Sequence, residues 1–97
     1  MRPLRDDPAQ ATRAAEIVGA LAHPDRLRLA AALCEEEAGV LELAATVGLA
    51  GGTVSRHLDL LLAARLVAAA PGPGGLRYHV VEPALHGLVA CMEECSR

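Results

Sequence analysis

The sequence predicts a small, mainly helical domain with one β-hairpin, five helices in the order α-α-α-α-β-β-α. Three observations carry that expectation. Val40 to Val67 reads as two short helical stretches joined by a tight turn and followed by a strand. Pro71-Gly72-Pro73-Gly74-Gly75 then separates two short β-prone runs, as the turn of a hairpin would. Segments with apolar residues at helical spacing flank this centre on both sides. Two short helices about a tight turn, followed by a small hairpin wing, make a winged helix-turn-helix.

Each element has a local reason. Asp7 followed by Pro8 is a helix start, and Ala14, Ile17, Val18 and Leu21 repeat at helical spacing, so a first helix runs from about Pro8 to Ala22. His23-Pro24 restarts the chain, and Leu27, Ala30, Ala31 and Cys34 share one face of a second helix ending near Glu36. Ala38-Gly39 separates it from a third, Val40 to Val47, which Gly48 closes. A fourth begins at Gly51 or Gly52 and runs to about Ala64, with Val54, Leu58, Leu61 and Leu62 inward and Ser55, Arg56 and Asp59 outward. Leu66 to Ala70 and Leu76 to Val81 are the hairpin strands, and Glu82-Pro83 opens a last helix striped by Leu85, Leu88, Val89 and Met92.

At 97 residues the chain is read as one domain over 1–97, with 1–7 a flexible lead-in. Hydrophobic residues make up 53%, yet Tyr78 is the single aromatic, so the core must be built from Leu, Val and Ala. So small a domain gains from a partner, and the first and last helices carry more apolar face than one small core needs; a homodimer through these two helices is expected. No apolar run approaches the roughly 20 residues of a membrane span, and MRPLRDDPAQ has no apolar signal segment, so no membrane association and a cytoplasmic location are expected.

The net charge of -3 and the lack of basic blocks argue against a protein that coats nucleic acid by bulk attraction, but leave local docking open. All nine basic residues are Arg, which suits forked contacts to phosphates and base edges, although genomic composition bias explains it at least as well. Acidic residues gather at Glu35-Glu36-Glu37 and Glu93-Glu94, expected as solvated helix ends that leave the Arg56 and Arg77 neighbourhoods free of dense negative charge. In the fourth helix Thr53, Ser55, Arg56 and His57 are the candidate DNA readers, because their donors and acceptors crowd the helix start. The plainer alternative makes Thr53 and Ser55 caps, Arg56 a solvated charge and His57 a packing residue. Arg77 on the wing is a candidate for phosphate or minor-groove contact. No Ser-His-acid order or phosphate loop points to an enzyme. A winged helix serving only as a dimerisation or protein-docking module is the competing class, and Gly51-Gly52 fits it.

Cys34, Cys91 and Cys95 are the candidate sensing residues. Cys91 and Cys95 stand four apart, on one helical face, and could share a soft ion. As(III) or Sb(III) asks for three thiolates, which Cys34 completes by number; reversible cysteine oxidation is the alternative. Against both, Cys34 in line with Leu27, Ala30 and Ala31 reads as a small buried hydrophobe, and the Glu93-Glu94 pair disfavours thiolates beside Cys91 and Cys95. Glu82 and His86 form a weaker zinc candidate, one turn apart without a second histidine.

These residues also carry a resemblance. Ala20-Leu21-Ala22-His23-Pro24-Asp25-Arg26-Leu27, Leu41-Glu42-Leu43-Ala44 with Val47-Gly48-Leu49, Thr53-Val54-Ser55-Arg56-His57-Leu58 with Leu61 and Leu66-Val67, and Arg77-Tyr78 together resemble the ArsR/SmtB family of winged helix-turn-helix transcriptional repressors. The resemblance spans roughly Ala14 to Cys95. It implies a homodimer seated on an imperfect palindromic operator in double-stranded DNA, over its own promoter, and released by a ligand. It also implies that a second-helix cysteine can pair with one of the last helix in thiol-sensing members, although Cys34 lies about one turn beyond that position. Two departures stand out. Ala50-Gly51-Gly52 replaces the polar residues, often Ser and Gln, that usually precede the TVSRHL-like segment, which removes a side-chain cap. Gly39-Val40-Leu41-Glu42 replaces the paired cysteines of many metal-sensing members, so that sensing site is absent.

Overall fold

The computed structural model describes residues 2–97. A 3-10 turn at Leu4–Asp6 precedes α1 (Pro8–Leu21), α2 (Pro24–Glu35), α3 (Val40–Val47), α4 (Gly51–Ala63), β1 (Val67–Gly72), β2 (Gly75–Val80) and α5 (Leu85–Cys95). The first two helices start as their capping residues dictate: Asp7 Oδ1 accepts the Gln10 amide at 3.1 Å, and His23 Nδ1 accepts the Asp25 amide at 3.1 Å, each with proline at the first helical position. Gly48 ends α3 at φ +72°, where the amides of Gly48 and Leu49 both return to the Ala44 carbonyl. α4 begins at Gly51 without any side-chain cap on Ala50. Its far end closes as a Schellman turn, Leu66 N to Leu61 O and Arg65 N to Leu62 O, with Arg65 in the left-handed region at φ +59°.

Three expectations are corrected. The hairpin tip is only Pro73-Gly74: Pro71 and Gly72 belong to β1 and Gly75 to β2, in antiparallel register Ala69 to Tyr78 and Gly72 to Gly75. Pro73 at the first central position and Gly74 at φ +83° suit a type II turn. The Ala38 connector is more than a separator, since it pairs with Tyr78 through two hydrogen bonds of 3.1 and 2.8 Å and adds a one-residue third strand to the wing. α5 begins at Leu85 rather than at Glu82-Pro83, because Glu82 is used earlier: its carboxylate accepts the Ala84 amide at 2.9 Å and its carbonyl the Leu85 amide at 3.1 Å.

The core lies between α2, α4 and the elements around them, with Leu29, Leu43, Val54, Leu58, Leu61, Leu66 and Leu85 fully buried. Leu62, expected inward, packs at the edge and is half-buried. No polar side chain is buried among the described residues. The stripes of the terminal helices divide: Ile17, Leu21, Leu85 and Val89 enter the core, while Val18 and Met92 stay exposed. Among the described residues no helix is long and apolar enough to cross a membrane.

Candidate nucleic-acid interface and thiol sites

α4 presents its hydrophobic side to the core, which fixes what its other side can do. Val54, Leu58 and Leu61 recur at helical spacing and are wholly buried, so Arg56 is driven to the surface. Arg56 Nη2 lies 3.5 Å from Thr53 Oγ1, and this pair sits in the first two turns of the helix. Ser55 faces a different direction and lines an open groove of about 550 Å³ between α4, the start of α3 and the wing, with Leu41, Pro73, Leu76 and Arg77. Leu41 is 81% exposed at the mouth of that groove.

The other two candidate readers are engaged inside the protein. His57 has only 14% of its side chain exposed and lies on the start of α2: its ring centroid is 4.6 Å from that of His23, its Nδ1 3.4 Å from Arg26 Nη1 and its Nε2 3.9 Å from Asp25 Oδ2. Burial first, then His23 and Arg26, hold its imidazole below the usual range, against the opposing pull of Asp25. Arg77 donates to the Glu42 carboxylate and, at 3.3 Å, to the Glu37 carbonyl, with the Glu37 carboxylate 3.7 Å away. That ties β2 to α3 and the α2–α3 connector, and it corrects the expectation that Arg77 is free of nearby negative charge: folding sets two carboxylates against the wing's guanidinium. Glu42 is doubly used, since it also accepts the Gly39 amide at 3.2 Å; that bond first, and Arg77 after it, hold its carboxyl below the ordinary value.

The three thiols do not converge. Cys91 and Cys95 are exposed on α5 with their sulfurs 3.9 Å apart, and this contact raises the Cys95 thiol above its usual range. Cys34 is half-buried on α2, pushed up by burial and then by Glu93. Among the described residues, the group of three ligand-bearing side chains whose atoms lie within 4.8 Å of one another is His23, Asp25 and His57. Sequence reasoning missed this cluster, because His23 caps the start of α2, His57 lies 34 residues on in α4, and no local pattern joins them. The Glu82 carboxylate is taken by the Ala84 amide and then Arg13 at 3.1 Å, which lower its pKa in that order, and His86 is not among its hydrogen-bond partners.

Comparison with known proteins agrees with this architecture. Residues 23–69, from the end of the α1–α2 connector into the first half of β1, match the family described as "Bacterial regulatory protein, arsR family". A transcriptional repressor SmtB homolog of Synechocystis sp. is 45% identical over 58 residues, 60% of this chain, and the match spans only 44% of that relative. Among solved structures, NolR from Sinorhizobium fredii superposes with a TM-score of 0.79 at 31% identity, covering 98% of this chain and 96% of that one. The antimony-specific transcriptional repressor AntR gives 0.82 at 30% identity, covering 98% and 88%. The transcriptional repressor BigR from Xylella fastidiosa gives 0.87 at 26% identity, covering 97% and 96%. A buried-backed helix-turn-helix, a two-stranded wing and flanking helices thus coincide with family-level matches through the helix-turn-helix, and this chain belongs to the ArsR family of bacterial regulatory proteins.

Proposed function

We propose that this chain is a cytoplasmic, sequence-specific transcriptional repressor of the ArsR/SmtB type, binding an imperfect palindromic operator as a homodimer. The observation that carries it is Arg56, exposed beside Thr53 on the first turns of a helix whose opposite face is wholly buried. In this reading Arg56 makes the forked base contact, Thr53 and Ser55 supply shorter ones, and the uncapped first-turn amides of α4 meet a phosphate. His57 serves the interface by holding the helix, and Arg77 by bracing the wing through Glu42. Exposed Val18 and Met92 on the terminal helices supply apolar surface for the second copy.

The inducer in this reading is a soft metal or metalloid, of whose thiolate ligands Cys91 and Cys95 supply two. Two thiolates on one tetrahedral ion at ~2.3 Å stand ~3.8 Å apart, and these sulfurs stand at 3.9 Å. The likeness to an antimony-specific repressor supports the same class of ligand. The test is a titration of DNA from upstream of the chain's own gene, and of a scrambled duplex, at two salt concentrations. Arg56→Ala weakens the specific complex by roughly 1–3 kcal/mol; unchanged affinity removes Arg56 from the interface. Equal binding to both duplexes without a steep salt slope replaces the repressor with a docking module. Repeating the titration with arsenite, cadmium and an oxidant on Cys91→Ser and Cys34→Ser separates metalloid release from oxidation.

A further inference from the structure

Four side chains outside the reading surface meet where α2 begins and α4 passes it: His23, Asp25, Arg26 and His57. Their hydrogen-bonding roles follow from chemistry alone. A backbone amide only donates, so His23 Nδ1, which takes the Asp25 amide at 3.1 Å, presents its lone pair there. A guanidinium also only donates, so His57 Nδ1 presents its lone pair to Arg26 Nη1 at 3.4 Å. Each neutral ring therefore carries its proton on Nε2, and that of His57 lies 3.9 Å from the Asp25 carboxylate. Arg26 Nε meanwhile donates to the Ala20 carbonyl at 2.6 Å, so one side chain ties the end of α1 to α4.

The spacing of His23, Asp25 and His57 is that of a metal site, but the lone pairs argue otherwise. Both Nδ1 atoms are engaged, and coordination through Nε2 would move a proton onto Nδ1, against Arg26 in one ring and the Asp25 amide in the other. An ion would also sit beside the Arg26 guanidinium.

We propose instead that the cluster is a proton-operated joint: neutral His57 positions the DNA-reading helix, and a proton taken from solvent onto its Nδ1 breaks the Arg26 contact and lowers sequence discrimination. This rests on the DNA-reading function proposed above. The added N–H would face the Arg26 N–H, donor against donor. The groups facing His57 are His23 from the cap of α2, Asp25 and Arg26 from α2, and Arg56 from its own helix; Asp25 alone favours the cation, and it is shared with Arg28 at 3.9 Å. The lowered pKa of His57 agrees with that balance.

Imidazole 15N NMR on the whole chain without DNA tests the joint. Both rings should be Nε2–H tautomers at neutral pH, His57 should titrate below the ~6.5 of a free imidazole, and the Thr53 to Arg56 amide signals should move with its midpoint. A His57 titration at or above that value, α4 amides that do not follow, or ring-nitrogen shifts on adding zinc alone each overturn the proposal. In a second arm the ratio of affinities for the upstream and scrambled duplexes is measured at pH 7.5 and 5.5 at fixed ionic strength. It should fall at least threefold in wild type and stay flat in His57→Gln, whose amide can accept from Arg26 and donate to Asp25 but does not titrate. A flat wild-type ratio, or a parallel fall in His57→Gln, overturns the positioning role. If His57 titrates as expected but no duplex is preferred at pH 7.5, the DNA-reading function itself has failed, and the positioning role goes with it.

Discussion

Truncating Leu58 to alanine removes three carbons from a fully buried side chain on the inner face of the DNA-reading helix. At ~0.8 kcal/mol per buried methylene the transfer loss is ~2.4 kcal/mol. A cavity term adds to it, because the surrounding helices relax only partly, and the total reaches ~3–4 kcal/mol. Leu60, two residues on and 50% exposed, is the internal control: its truncation costs under ~1 kcal/mol, since about half of its surface was never removed from water and no closed cavity is left behind. For a domain of this size each kcal/mol moves Tm by about 4–8 °C, so Leu58→Ala should melt roughly 12–30 °C lower and Leu60→Ala within a few degrees of wild type. Thermal and urea unfolding followed by circular dichroism, at one protein concentration, measure both. Equal losses at the two positions would refute the assignment of α4's faces and with it the outward placement of Arg56.

Arg65 holds a left-handed φ of +59° at the end of α4, so Arg65→Gly should stabilise by up to ~1 kcal/mol in urea unfolding; a loss would mean that its side chain, near Glu16 at 3.7 Å, outweighs the backbone relief. His57 is held below its ordinary pKa, so the unfolded chain takes up that proton first as the solution is acidified. The stability linked to His57 is complete above ~6.5 and is lost as pH falls from there toward the folded value; Glu42 and Glu82, both lowered, lose theirs only in the carboxylate range. A pH series of melting curves on wild type and His57→Gln separates the two windows, and an identical slope near pH 6 in both proteins contradicts the assignment. Val18→Asp places a charge on exposed apolar α1 surface and should shift sedimentation toward the monomer at least tenfold in Kd while leaving helix content intact; an unchanged Kd removes this face from the dimer.

Much of the fold is written in short-range signals. Asp7-Pro8, His23-Pro24 and Gly48 each act within a few residues, so the starts of α1 and α2 and the end of α3 are legible without a tertiary structure. The outward face of α4 is legible for the same reason, because the Val54, Leu58, Leu61 repeat leaves Arg56 one direction to point. What could not be read depends on partners far along the chain. The Ala38–Tyr78 bridge is one residue long and has no periodicity to detect. The late start of α5 follows from Glu82 being committed to the preceding turn and to Arg13.

The candidate site divides along the same line. Residue type and helical period alone determined that this chain is a winged helix-turn-helix, that Arg56 and Thr53 share the start of its reading helix, and that Cys91 and Cys95 share one face of the last helix. Tertiary structure decided which candidates are free to act. His57 and Arg77 look equally available in sequence, yet their partners Arg26 and Glu42 lie 31 and 35 residues away. An ionisable side chain takes its role from whichever charge packing sets against it, and packing is a property of the whole chain.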